Sequence, residues 1–308
     1  MSVLVVVPAH EAAAHLAATI DSVRAQTRTD WRLVVVDDGS RDTTGTIAAG
    51  FAARDARITC TAQPNAGVAA ARNRGLLAAG PDVTHYLFLD HDDVLEPDAL
   101  AVLGAALDAD PAAVGVHGLM RCVDVAGSPV EAASLERWQR ERVAIEDGRV
   151  VPWPSDRPTT FRALALGNRI LTMGQSLLRR DPVDAAGGFD PATVPADDYD
   201  LYLRLLAGGH LAFVARVVVA WRLHERNVSH DRQRMEAATA RVQRKLARTL
   251  GADEGRLLLV GYRLARRGLA RLALDAAKDA LARGAVGTAT AELRRVAVNW
   301  ARAQWGRP

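Results

Sequence analysis

The stretch "LFLDHDDVL", residues 87 to 95, runs from apolar side chains straight into Asp90, Asp92 and Asp93. Carboxylates this close repel one another and raise each other's pKa unless a positive charge sits among them. A hard divalent cation is the usual solution, because Mg2+ or Mn2+ takes oxygen ligands and needs only one or two protein carboxylates, leaving positions for substrate phosphates. The plain alternative is a turn that ends a strand and leads into a capped helix, since Asp favours both places.

A second acidic group lies in "ADDYDLYLRLLAGG", residues 196 to 209, where Leu201, Tyr202 and Leu205 form an apolar stripe at helical spacing. Asp197 and Asp198 then fall in the first turn of a helix, where the helix dipole favours negative charge. Capping accounts for one acid and need not account for two. A third group, "WRLHERNVSH" at residues 221 to 230, follows the strand-like "LAFVARVVVA" and carries Arg222 and His224.

These groups need a frame to bring them together, and the first half of the chain supplies one. The segments "VLVVV" (3 to 7), "RLVVV" (32 to 36), "RITCT" (57 to 61) and "HYLFL" (85 to 89) are short and rich in β-branched residues, and helical spacing such as Leu16, Ile20 and Val23 lies between them. Strands alternating with helices predict an α/β fold with a mostly parallel, buried sheet. Ligands of such sheets bind beyond the carboxyl ends of the strands. The polar residues fall there: Pro8, His10 and Glu11 after the first strand, "DDGS" (37 to 40) after the second, "QPNAG" (63 to 67) after the third and "DHDD" after the fourth. By strand alternation His91 should point away from Asp90 and Asp92, toward the packing.

Composition bounds the classes. With 308 residues and 49% hydrophobic content, the chain can bury a full core as one large domain or a domain plus an appendage. No run of eighteen apolar residues exists and no charged leader precedes the first strand, which predicts a cytoplasmic, unprocessed chain. On that reading the "NVS" sequon at 227 to 229 has no meaning. Cys60 and Cys122 stand far apart, with no C-x-x-C partner, and are expected to be reduced core residues.

Charge divides the chain. Residues 231 to 308 hold 17 Lys/Arg against 7 Asp/Glu, a net of +10, and residues 1 to 230 carry a net of −7. The basic part reads as helices separated by Gly251, Gly268 and Gly284. It could meet anionic lipid or nucleic acid, or be a solvated helix face. Trp300 and Trp305 beside Arg302 and Arg307 would suit the inner face of a membrane. An ordinary packing domain or a homodimer contact is an equal alternative.

In order and spacing, "VVVPAHEAAAHLAATIDSVRAQTRTDWRLVVVDDGSRDTT", "NAGVAAARNRGL", "YLFLDHDD" and "GGFDPATVPADDYDLYLRL" resemble glycosyltransferase family 2. The resemblance spans roughly residues 2 to 230. It implies a GT-A type (Rossmann-like) domain over residues 1–230, with a basic helical extension over 231–308. It further implies a metal-dependent, inverting glycosyltransferase that uses Mn2+ or Mg2+ and a nucleotide-diphosphate sugar, a UDP-sugar first, with a hydroxyl-bearing acceptor that is a glycan, lipid-linked or small molecule. Position by position it places Pro8 and His10 at the base, Asp38 at the uracil ring, and Asn65 and Arg72 beside the nucleotide. Asp90 would reach the ribose and, with Asp92, hold the metal, and His224 would be a third metal ligand at the point where some members carry one. Asp198 would be the general base, Asp197 the acceptor-orienting acid and next candidate, and Arg222 a charge clamp facing the diphosphate.

Two departures stand out. Glu11 replaces a common asparagine, and residues 134 to 160, with Trp138 and Trp153, match nothing in the family pattern. Those tryptophans could stack on a sugar or plug a lid. Two other classes compete. A nucleotidyltransferase shares this kind of sheet and acidic metal site but would show a Gly-rich, Lys/Arg-bearing phosphate loop after the first strand, which "PAHEAAAHL" lacks. A non-catalytic sugar-nucleotide or nucleic-acid binding protein is disfavoured by acids at 90, 92 and 198 and by the absence of a nucleic-acid motif.

Overall fold

The computed structural model describes residues 2–130, 137, 139–225, 227 and 231–305. Trp138, the sequon's Val228 and Ser229, and Arg307 lie outside the described residues, as does the side chain of Trp305. An eight-stranded sheet runs in the order β3-β2-β1-β4-β9-β6-β10-β5. Its first four strands are the expected ones: β1 (Ser2–Ala9), β2 (Trp31–Asp38), β3 (Ile58–Gln63) and β4 (Val83–Phe88), all parallel.

Alternation along β1 decides the two cores. Val3, Val5 and Val7 enter one buried cluster with Leu16, Ile20, Leu33 and Val35, whereas Leu4 and Val6 enter the other with Val34, Val36, Phe88 and Tyr199. Nine-residue α1 (Leu16–Arg24), like α2 (Thr44–Ala52), would be marginal by itself. Fully burying Leu16, Ile20 and Val23 against the sheet contributes roughly 1.5–3 kcal/mol apiece and holds it in place.

Strand order reverses beside β1, with β2 on one flank and β4 on the other. That is the switch point at which open α/β sheets leave a crevice. Two further contacts populate its rim. Helix α3 (Val68–Leu76) lies so close to β1 that a Cβ on Gly75 would collide with Val6, and this approach carries Arg72 under the rim. Just after the acidic turn, β5 (Val94–Leu95) pairs antiparallel with β10 (Leu211–Arg222) through Val219↔Leu95 and Ala220↔Val94. This short ladder delivers residues 222 to 224 to residues 90 to 93, more than a hundred positions away in sequence.

The remaining sheet strands are β6 (Gly115–Val123), parallel to β10, and β9 (Ser176–Arg179), antiparallel to β4 and β6. Strands β7 (Val143–Glu146) and β8 (Arg149–Pro152) form a separate hairpin. After α4 (Ala99–Ala109), α5 (Phe161–Leu164) and α6 (Arg180–Ala185) comes α7 (Asp197–Leu206), the acidic helix foreseen from the stripe.

Helices α8 (Arg232–Thr249), α9 (Ala252–Ala282) and α10 (Val286–Trp305) follow β10. Ala238, Val242 and Leu246 of α8 and Leu258 of α9 belong to the same buried cluster as Leu4 and Val6. Lys245 of α8 ties itself to Asp190 and Asp200 at 2.6 and 2.7 Å, fixing α8 against the base of α7. Cys122 is buried as expected, but Cys60 is exposed. Cys60 lies on β3, the outermost strand of the sheet, where Thr59, Cys60 and Ala62 are all exposed.

Candidate functional site

A cleft of about 1080 Å³ opens at the carboxyl ends of β1 and β4. Its wall contains Pro8, His10, Arg72, Asp90, Asp92, Asp197, Asp198 and His224, so most of the residues singled out from sequence converge on one space. Asp38, Asn65 and Arg222 do not form part of that wall.

The acids after β4 are each given a different partner. Asp90 Oδ1 accepts from Arg72 Nη2 at 2.6 Å. Asp92 Oδ2 lies 2.8 Å from His224 Nε2, brought there by the β5–β10 ladder. Asp93 is fully buried and accepts from the Thr172 hydroxyl at 2.6 Å and from the Arg222 backbone N–H at 3.1 Å. Burial drives the Asp93 carboxyl well above the ordinary range, and Asp92 and Asp90 push it further. The crowding visible in the sequence is thus relieved by one guanidinium, one imidazole and one withdrawal into the interior.

His91 departs from the alternation argument. Strand β4 ends at Phe88, so residues 90 to 93 form a turn in which the two-residue period no longer applies. Its ring approaches the Pro8 carbonyl at 3.3 Å and still contributes to the cleft wall. His15, at the entry to α1, stacks on His224 with ring centroids 5.4 Å apart and 21° between planes. Burial, followed by Arg222 and His224, lowers the His15 pKa.

At the acidic helix the two carboxylates differ. Asp197 is buried and accepts from Arg72 Nη1 at 2.7 Å. Arg72 therefore bridges Asp90 and Asp197 with one 5%-exposed guanidinium while still lining the cleft. Burial by itself lowers the Arg72 pKa, but Asp90 and Asp197 more than reverse this and hold the charge. Among the described residues, Asp198 has no cationic partner of its own. Its Oδ2 accepts from Asn168 Nδ2 at 2.9 Å and its Oδ1 from the Tyr199 N–H at 2.6 Å. Burial, then the neighbouring Asp197, pushes its carboxyl up to about 7. The helix N-cap is Ala196, which makes no side-chain cap bond.

Two expected contacts are otherwise engaged. The Arg222 guanidinium donates to the carbonyls of Asp92 at 2.9 Å and Val125 at 2.8 Å, so it braces the acidic turn from beneath and does not face the cleft. Asp38 is 3% exposed, and its oxygens receive Gln63 Nε2, the Ala66 N–H and the Gly67 N–H, each at 2.8 Å. It shapes the "NAG" turn that opens α3. Asn65 sits 3.1 Å from His10 Nε2, and the Asp38 carbonyl lies 2.9 Å from His10 Nδ1, so the polar residues after β1, β2 and β3 hold one another. Glu11 occupies a left-handed backbone position, φ +49°, and its Oε1 accepts from the Arg41 N–H at 2.7 Å. Asparagine tolerates that conformation better than glutamate does.

Asn168, Thr172, His15 and Met235 were not foreseen. Asn168 and Thr172 lie where no spacing repeats, and Met235 of α8 reaches the cleft wall only because that helix docks on the core. Among the described residues, no three His, Cys, Asp or Glu side chains form a ready-made metal cluster. The donor types at the rim still suit a hard cation, since the carboxylates of Asp90 and Asp92 and the His224 imidazole face one cleft and such ions complete their shell with phosphate oxygens.

Residues 4–186, more than half of the chain, match the family model described as glycosyl transferase family 2. A chondroitin synthase of Escherichia coli is 27% identical over 228 residues, covering 74% of this chain and 30% of its own length. Among solved structures, S. aureus TarS 1-349 in complex with UDP-GlcNAc superimposes with a TM-score of 0.59 at 14% identity, covering 100% of this chain and 93% of that one. Mannosyltransferase PcManGT from Pyrobaculum calidifontis, in complex with GDP-Man and Mn2+, gives 0.58 at 20% identity, covering 99% and 88%. At such identities the likeness speaks for the fold, which is of the GT-A type. The chain spans less than a third of the length of the curated relatives it resembles.

Proposed function

The chain belongs to glycosyl transferase family 2, and from that premise we propose that it moves a sugar from a nucleotide-diphosphate sugar, a UDP-sugar first, to a hydroxyl acceptor with inversion. The observation that carries the reading is the asymmetry of the acidic pair: Asp197 is held by Arg72, and Asp198, pushed up to about 7, faces the cleft without a cation of its own. A general base near neutrality combines availability with driving force.

In the proposed displacement the acceptor oxygen attacks the anomeric carbon while Asp198 takes its proton. The bond from that carbon to the β-phosphate oxygen breaks, and the electron pair leaves with the nucleoside diphosphate. Asn168 fixes the Asp198 carboxylate through Oδ2 and the Tyr199 N–H holds Oδ1, which leaves each oxygen further capacity to accept. Asp197, fixed by Arg72, orients the acceptor. Asp90, Asp92 and His224 would hold Mg2+ or Mn2+, which when bound neutralises the diphosphate as it departs. Pro8 and His10 wall the base end. The donor class is supported by the UDP-GlcNAc and GDP-Man named for the two superimposed structures. Sugar transfer is assigned to residues 1–230, with 231–308 as the basic helical extension.

Release of nucleoside diphosphate from a panel of nucleotide sugars, measured with and without Mn2+ across candidate acceptors, tests the activity; no release from any donor would count against it. For the metal, calorimetry should find UDP bound more tightly with Mn2+ than with EDTA, and Asp92→Ala should erase the difference. Equal wild-type affinities under both conditions would remove the metal from the reading.

A further inference from the structure

Helices α9 and α10 form an antiparallel hairpin that turns at Gly284, whose φ is +73°. Alanines fill much of its buried seam, among them Ala273 and Ala280 on α9 and Ala289 on α10. Several larger apolar side chains are left outside. Leu274 and Leu281 are 36% and 53% exposed, and Val286, Leu293 and Trp300 are 64%, 46% and 59% exposed. Both series repeat at seven residues, which keeps each on one face of its helix.

The two stripes share a side of the hairpin. Leu274 and Leu281 each follow a buried alanine, and Leu293 and Trp300 each follow an inward residue, Glu292 and Asn299, the latter bonded to buried Arg266 of α9. One residue turns a helix by about 100°, so both stripes stand one step round from the seam in the same rotational sense. In an antiparallel pair, equal rotation from the seam brings both to the same side.

Exposed cations border this face: Arg267, Arg271 and Lys278 on α9, Arg283 at the turn and Arg294 on α10. Of these, Lys278 pairs with Asp275 at 3.6 Å on the open surface. Residues 267 to 302 hold seven Lys/Arg against three Asp/Glu.

We propose that the Leu274, Leu281, Val286, Leu293 and Trp300 face of this hairpin docks on an anionic lipid surface, with the bordering arginines and lysine set against the headgroups. Charge selects the occupant. A second copy would bring like charges together, whereas an anionic leaflet supplies the opposite sign. Apolar side chains flanked by Lys/Arg, with a tryptophan among them, are what an interfacial helix presents. No helix among the described residues is long and apolar enough to cross a membrane, so the face lies on the surface.

The full chain is sedimented with vesicles of phosphatidylcholine alone and of phosphatidylcholine mixed with phosphatidylglycerol. Binding to the anionic vesicles only, weakened by added salt, is expected. Leu281→Ser/Leu293→Ser/Trp300→Ser should lower the partition coefficient about tenfold or more, and Arg267→Gln/Arg271→Gln by less. Both variants alter exposed positions and should keep the wild-type circular dichroism. Absence of binding, equal binding to both vesicle types, or a triple variant that binds like the wild type overturns the proposal. So does a lipid-free dimer that the triple variant abolishes, since the face would then belong to a second copy.

Discussion

The two acidic groups facing the cleft have similar composition and opposite electrostatics. After β4, Asp90 meets Arg72, Asp92 meets His224, and Asp93 is sealed against Thr172, so each carboxylate has its own settlement. On α7, Arg72 serves Asp197 and leaves Asp198 with only neutral donors, Asn168 and a backbone N–H. Carboxylates held by partners suit binding charge, and a half-buried carboxylate held by neutral donors suits moving a proton. Arg72 reaches both groups, and so sets the difference between them.

Removing the unpaired member gives the largest effect. Asp198→Asn keeps the shape and the helix start but removes the proton acceptor. Transfer should fall ~10²- to 10⁴-fold, with UDP affinity and melting temperature nearly unchanged. Asp197→Asn should lose less. If the two variants lose activity equally, the contrast between the acids is not functional.

Next in size is the bridge. Arg72→Met leaves Asp197 buried without its cation, and breaking a buried pair in this way costs about 3–5 kcal/mol. Chemical denaturation should show that loss. A variant as stable as the wild type would mean that the bridge does not organise the two groups. A smaller effect is expected from Asn168→Ala, which removes one hydrogen bond to a charged group, about 1.5–3 kcal/mol at most. It should lower kcat several-fold with little change in donor KM, and an altered donor KM instead would place Asn168 on the donor side.

The same contrast shows what could be read from the chain. Strands β1 to β4 were legible because β-branched runs such as "VLVVV" alternate with helical spacing, and the rim followed from the rule for parallel sheets. The acid groups were visible as residue types. Their partners were not, since Arg72 and Asp197 are 125 positions apart and their pairing depends on α3 packing against β1 at Gly75. Arg222 has the right charge for a diphosphate, yet the direction of its guanidinium is decided by the carbonyls of Asp92 in the acidic turn and of Val125 in the turn after β6. Asn168 stands in a segment with neither periodicity nor motif. His91 shows that a pattern argument fails within three residues of the end of its strand.

The central claim, that Asp198 is the base and titrates near neutrality, is tested most directly by the pH dependence of kcat/KM for the wild-type protein. Burial disfavours the ionised carboxylate, so below about 7 the group carries a proton and cannot accept another. The account predicts a rate that climbs about tenfold per pH unit below that point and levels above it. Stability should run the other way. The folded carboxyl holds its proton more tightly than the unfolded one, whose pKa is about 4, so this group's contribution declines as pH rises from about 4 to about 7. A kcat/KM profile that is flat from pH 5 to pH 8 would contradict the claim, because it would report an ordinary carboxylate or another base.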